Sequence, residues 1–338
     1  MTGSRPSALD VLDGGLLTTI QDGGRPDQGH LGVPESGAAD RWSLAVANLL
    51  VGNESDAAAV EMTLVGPALA ATGALTIGLA GANLGGRIRG GRRLAPGRSH
   101  RLAAGDVVEF AGDGPGGSPS GARAYLAIPG GVDVPIVLGS RSTCLAGGFG
   151  GLDGRPLRAG DVLSPRSDRS AAGSEPAELA WPEPDPPRAD AADPAVLRVV
   201  AGPAPGLDTL ATGSWRVGAA ADRVGVRLDG PLAAAAIGGE VTTHGVPWGA
   251  IQVPPDGRPI VLGVDHQATG GYRVVGVVIS ADRPVLGQLR PGAAVRLEVV
   301  SREVALDALR DRRAALAAGA SALREAAGWG RLIDAAGG

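Results

Sequence analysis

Lysine is absent from all 338 residues, and the 31 basic side chains are all arginine. That absence excludes a P-loop, whose lysine reaches the nucleotide phosphates. It also excludes Schiff-base chemistry and serine–lysine nucleophile systems, and a carrier with biotin covalently held on its own lysine. A GC-rich coding bias accounts for the swap to arginine without changing these exclusions. Cysteine is limited to Cys144, so no internal disulfide can form, as a reducing compartment favours. Aromatic residues make up only 3%, which leaves Val, Leu, Ile and Ala to build any core. No apolar run approaches the roughly 20 residues of a membrane span, and Met1 to Leu12 has no secretory h-region. A soluble cytoplasmic protein with no membrane partner is expected. The net charge of -4 supplies no basic face for a nucleic acid.

What is present points to a mainly β fold. The 56 glycines and 26 prolines suit many short strands joined by tight turns. Strands are predicted at Ala74 to Leu79, Val107 to Phe110, Ala124 to Ile128, Val196 to Val200, Ile260 to Val264 and Val274 to Ile279. At this length two domains are the default. A Pro- and charge-rich stretch, 166–194, reads as a linker between an N-terminal β half (1–165) and a C-terminal β half (195–300). Gly112 to Gly121 reads as a surface excursion. Two helices are expected. Ala38 to Leu50 places Trp42, Ala45, Val46 and Leu49 on one face, with Ser36 as N-cap. Glu303 to Ala327 lies within a helical tail (301–338) that Gly319 could split, and that packs on its own domain or meets a partner.

Three polar, glycine-rich clusters could carry chemistry. The first, from Thr18 to Asp40, holds Gln21, Asp22, Arg25, Ser36 and Asp40 ahead of a helix, which suits either an anion site or a capped turn. The second, Gly139 to Thr143, offers Arg141, Ser142 and Thr143 to an oxyanion, or is a structural loop. Cys144 beside it reads as a small buried hydrophobe. In the third, Asp265, His266, Gln267 and Thr269 leave a strand toward Gly270, Gly271 and Tyr272, with Gln252 upstream. This is a rigid polar site beside a Gly-Gly loop, or a hairpin with a polar tip. The four histidines lack zinc-site spacing, and no GxSxG elbow supports a serine triad.

These clusters, with TTIQDGGR, GVPESGAAD, AVANLLVGN followed by Glu61, RAYLAIPGG, VLGSRST, GRPLRAGDVL, ADRVGVRL, GAIQVPPDGRPIVL, DHQATGGY and ISAD, occur in one colinear order. That order resembles the KipA, or allophanate hydrolase subunit 2-like, family of carboxyltransferase-like proteins, which includes the C component of bacterial 5-oxoprolinase. Ala39, His266, Ala268 and Arg273 depart from its usual pattern. The resemblance implies two cyclophilin-like β-barrel units, a KipI-like protein and a LamB/YcsF-like protein as partners, and ATP with Mg²⁺ used by the complex. The implied reaction opens a small-molecule lactam, 5-oxoproline, to glutamate. Phosphorylating the lactam oxygen would call for cationic and N–H donors. Arg25, Arg141 and the Gly270–Gly271 backbone are the candidates here, with Asp22, Asp40 and Asp265 for proton transfer or Mg²⁺. Two alternatives stay open: carboxyl transfer to a urea-like nitrogen, with biotin on another chain, and a KipA-like regulator that sequesters a KipI-like kinase inhibitor.

Overall fold

The computed structural model describes residues 7–112, 121–166, 179–182, 194–231, 237 and 239–328. Most of the expected surface excursion, most of the expected linker and the end of the tail lie outside these residues.

The N-terminal half builds its core between two antiparallel five-stranded sheets. One runs β10 (Val162–Leu163), β1 (Leu9–Asp13), β4 (Ala68–Ala71), β8 (Val107–Phe110) and β6 (Gly86–Ile88). The other runs β2 (Leu17–Gln21), β3 (Ala59–Thr63), β9 (Arg123–Ala127), β5 (Leu75–Gly81) and β7 (Arg98–Leu102). Strand alternation decides what each face meets. In β9, Ala124 and Leu126 join the intersheet core, whereas Tyr125 and Ala127 join a second cluster beneath helix α1 (Arg41–Leu49). Both faces of β9 are therefore buried. Glycine at 78 lets α1 come close, because a Cβ there would sit 2.1 Å from the Ala47 carbonyl oxygen.

The C-terminal half closes a seven-stranded barrel. Its strands are β11 (Ala195–Ala201), β18 (Ala294–Val299), β12 (Trp215–Val217), β13 (Gly225–Asp229), β16 (Ile260–Leu262), β15 (Ala250–Val253) and β17 (Thr269–Val278), which returns to β11. Only β11 and β18 pair in parallel. A further strand, β14 (Glu240–Gly245), lies along β17. Leu197, Val199, Trp215, Leu228, Ile251 and Val275 are among the residues that fill the interior. The mainly β architecture is the expected one, and the strands fall within a few residues of their predicted positions.

Three local expectations are corrected. Helix α1 is capped by Asp40, not Ser36: the Asp40 carboxylate accepts from Ser43 N at 2.9 Å and Ser43 Oγ at 2.6 Å. Gly319 does not split the C-terminal helix, which after α2 (Leu207–Ala211) and α3 (Arg283–Gln288) forms α4 (Arg302–Ala327). The missing side chain makes room for Trp181, whose ring lies 2.3 Å from where a Cβ would stand. Leu179 and Trp181, from within the Pro-rich stretch, are buried with Trp42 and Leu323. Helix α4 therefore crosses from its own half onto the other.

Candidate functional site

Strand β2 ends at Gln21 and delivers Asp22 into a turn. The Asp22 carboxylate accepts from Ser140 Oγ at 2.6 Å, from the Arg141 backbone N–H at 2.6 Å, from Gly24 N–H at 2.8 Å and from Ser142 Oγ. One aspartate thus fastens the 139–143 loop to the Gly-rich turn, and the first two clusters become one surface. Arg25 continues it. Its side chain is 1% exposed, donates to the Ser142 carbonyl and stacks over Phe149 at 5.1 Å. Burial lowers its pKa, against the pull of Cys144, Asp22 and Asp265. Gln21 is spent locally on Thr19 Oγ1 (3.0 Å) and the Thr143 carbonyl (3.3 Å), and the Thr143 hydroxyl bonds Ile20 O.

The same turn then reaches the barrel. Ser36, at φ 54°, donates its backbone N–H to Val264 O at 3.3 Å. The Gly37 carbonyl accepts from Arg223 at 2.8 Å. Arg223 is the centre of a buried seam between the halves. Its Nε and Nη2 hold Asp265 at 2.7 and 3.1 Å, and its Nη1 holds Glu61 on β3. Glu61 also accepts from Ala39 N (2.9 Å) and Tyr125 OH (2.7 Å), with Arg123 Nε at 3.6 Å. Burial acts to raise the Glu61 pKa, but Arg223 and Arg123 outweigh it and hold it below the usual value. Burial beside Glu61 pushes the Tyr125 phenol well above its ordinary value. Asp40 joins the seam through Gln288 Nε2 at 2.7 Å, and burial raises its pKa despite that bond.

The third cluster is only partly brought to this surface. Asp265 is committed to Arg223. His266 is buried, bonds the Gln267 carbonyl at 2.7 Å, and is held below the ordinary histidine pKa by that burial. Gly270 and Gly271 are not a loop: they open strand β17, with Thr269 and Tyr272 beside them in its ladder with β14. Gly270 pairs with His244 and the ladder's register shifts at Gly271, so Gly270 stands in a sheet where a phosphoryl cradle was expected. Gly270 instead makes room for Gln252, whose Nε2 lies 2.3 Å from where a Cβ would stand. Among the described residues, no group of three His, Cys, Asp or Glu side chains could hold a metal ion. Asp22, Asp40 and Asp265 all have their carboxylates engaged by protein donors, so these residues do not fit a Mg²⁺ ion.

Open space adjoins Asp22. A polar cleft of about 280 Å³ is lined by Asp22, Asn53, Asp56, Arg141 and Arg166 together with the backbone near Gly52 and Gly130. Sequence reasoning included Asp22 and Arg141 but missed Asp56, and it missed Arg223 and Gln288 in the seam. Glu61 carried a usable signal, a carboxylate between Val60 and Met62 in an apolar strand.

A profile of the carboxyltransferase domain, subdomain A and B, matches residues 31–299. The chain belongs to this carboxyltransferase-domain family. Among its relatives, the C component of 5-oxoprolinase from Escherichia coli (strain K12) is 34% identical over 328 residues, covering 90% of this chain and 95% of that one. Urea amidolyase of Lachancea kluyveri is 33% identical over 339 residues, 92% of this chain but 18% of the relative. The solved Kluyveromyces lactis urea amidolyase superposes with a TM-score of 0.81 at 29% identity, over 94% of this chain and 20% of that one. The solved protein TTHA0988 gives a TM-score of 0.76 at 37% identity, with 89% and 57% covered. The carboxyltransferase domain thus occurs both as nearly a whole chain and as a fraction of a longer one. No described helix of this member is long and apolar enough to cross a membrane.

Proposed function

We propose that the chain is the C component of an ATP-dependent 5-oxoprolinase, working with a KipI-like protein and a LamB/YcsF-like protein as its partners. The observation that carries this reading is extent. The match to the E. coli 5-oxoprolinase component runs over 90% of this chain and 95% of that relative, which supports reading the two as the same unit. The reaction adds one water across the lactam C–N bond of 5-oxoproline to give glutamate, while a second water is consumed as ATP is hydrolysed to ADP and phosphate. The nucleotide belongs, in this reading, to the assembled enzyme, because Asp22, Asp40 and Asp265 are engaged by protein donors and do not fit a magnesium ion. This chain supplies a rigid frame of a two-sheet half joined to a barrel, a buried cation at Arg25, and a polar cleft beside Asp22 where a small substrate can be oriented.

A second reading has its own support. The backbone follows the K. lactis urea amidolyase over 94% of this chain and 20% of that one, which favours carboxyl transfer to a urea-like nitrogen. Without lysine, this chain would need biotin delivered on another polypeptide.

The deciding measurement is glutamate release from 5-oxoproline and ATP by the chain reconstituted with its cognate KipI-like and LamB/YcsF-like partners. Turnover that disappears when this chain is omitted supports the first reading. A well-assembled complex without turnover, which instead carboxylates urea from a biotinylated carrier, replaces it with the second.

A further inference from the structure

The residues lining the cleft beside Asp22 divide into those already spent and those still free. Asp22 is saturated by four donors. Asn53 is equally occupied: its amide donates to Asn48 Oδ1 and Ile128 O, both at 2.9 Å, and its oxygen accepts from Gly130 N at 2.7 Å. Arg141 is bound only at its backbone N–H, by Asp22, and at Nε, by Val134 O at 3.0 Å. Among the described residues its two terminal guanidinium nitrogens have no protein partner. The Asp56 carboxylate has none either, and it is exposed. Both groups are fixed to one dipeptide: Asp22 takes the Arg141 backbone N–H, while Gly23 N–H donates to the Asp56 carbonyl at 3.3 Å.

Among the described residues lining the cleft, Arg141 and Asp56 thus present a free cation and a free anion on the rigid floor of the cleft. Its volume is room for roughly nine waters at their liquid density, which suits one small ring. A polyphosphate is disfavoured, because three carboxylates (Asp22, Glu54 and Asp56) outnumber the two arginines, Arg141 and Arg166, that line the same space. We propose that this cleft binds a small cyclic carboxylic acid that carries an N–H donor. Arg141 takes its carboxylate through the terminal guanidinium nitrogens, and Asp56 accepts a hydrogen bond from its ring N–H. The inference rests on the 5-oxoprolinase reading for the identity of that acid, 5-oxoproline, and assigns Arg141 and Asp56 as its binding residues.

The test is calorimetric titration of the full chain, alone and with its two partner proteins. The probes are 5-oxoproline, 2-pyrrolidinone, which lacks the carboxylate, and the lactone analogue, whose ring oxygen replaces the N–H. The expected result is that 5-oxoproline binds and that both analogues bind about ten- to a hundred-fold more weakly. Arg141→Gln should weaken 5-oxoproline by a similar factor, with Arg141→Lys restoring part of the loss. Asp56→Asn should weaken 5-oxoproline but leave the lactone unchanged. Variants that bind 5-oxoproline as the native chain does, or a KM unmoved in the reconstituted enzyme, would overturn the assignment. The two readings fail separately. Binding that depends on Arg141 in a complex without turnover supports the cleft and sinks the 5-oxoprolinase role. Turnover indifferent to both variants does the reverse.

Discussion

Arg223 and Arg141 bring the same guanidinium into opposite surroundings. At Arg223 all three side-chain nitrogens are engaged, by Glu61, Asp265 and the Gly37 carbonyl, and the residue is 4% exposed. At Arg141 only Nε is engaged and the tip faces open space. A charge taken out of water must be repaid by partners in fixed geometry, so the buried cation is a fastener between the halves. A charge with free donors beside a cleft keeps its capacity for something that comes and goes. Both positions lie in motifs that look equally polar in sequence; satisfaction, not residue type, separates them.

Deleting each guanidinium tests the contrast most severely. Arg223→Ala leaves Glu61 and Asp265 buried without their shared partner and should cost about 3–5 kcal/mol in urea unfolding. Arg141→Ala removes one donor to a neutral acceptor, the Val134 carbonyl, and should cost about 1 kcal/mol. Equal costs would erase the distinction. Next in size, Asp22→Ala strips three hydrogen bonds from the loop that carries Arg141, and a fourth from Gly24. A loss of about 2–3 kcal/mol is expected by the same measurement, together with faster hydrogen exchange across 139–143. Unchanged exchange there would mean that the loop is held by other contacts.

Smaller again, Gly270→Ala pushes a methyl group into the Gln252 amide and should cost about 1–2 kcal/mol. A neutral outcome would restore Gly270 as a candidate for backbone contact with a ligand. The smallest effect is a pH slope. Burial holds the folded pKa of His266 below its unfolded value. Its contribution to stability is therefore complete above about pH 6.5 and is lost as pH falls through the folded pKa. Urea midpoints between pH 7.5 and about 5 should decline, and His266→Gln should flatten that decline. An identical slope in the variant would assign the acid limb to other groups.

The fold was legible wherever local chemistry was decisive. Val107 to Phe110 forms the predicted strand residue for residue; of the predicted α1 face Trp42, Ala45 and Val46 are buried and Leu49 partly so, but Ser43, Leu44, Ala47 and Asn48 are buried too. The contiguity of the Gln21–Arg25 and Gly139–Thr143 clusters was not legible, because it depends on one carboxylate meeting a loop 120 residues away. The same holds for Glu61: an apolar strand can announce that its carboxylate needs a cation, but not which of 31 arginines answers. Gly270–Gly271 misled for a different reason. Paired glycines mark either a loop or a place where another group comes close, and here Gln252 occupies the space that a side chain would need.

The way Arg223 straddles the seam has a consequence for cutting the polypeptide in two. A fragment carrying only the first half would hold Glu61 with Arg123 and Tyr125 but without its strongest counter-charge. A fragment carrying only the second would hold Arg223 and Asp265 with the Glu61 and Gly37 oxygens missing. Each piece thus lacks what the other displays, in matching positions. Co-produced as separate polypeptides, the two should recognise one another and reassemble, which makes the seam a built-in key for a split, complementing version of this protein.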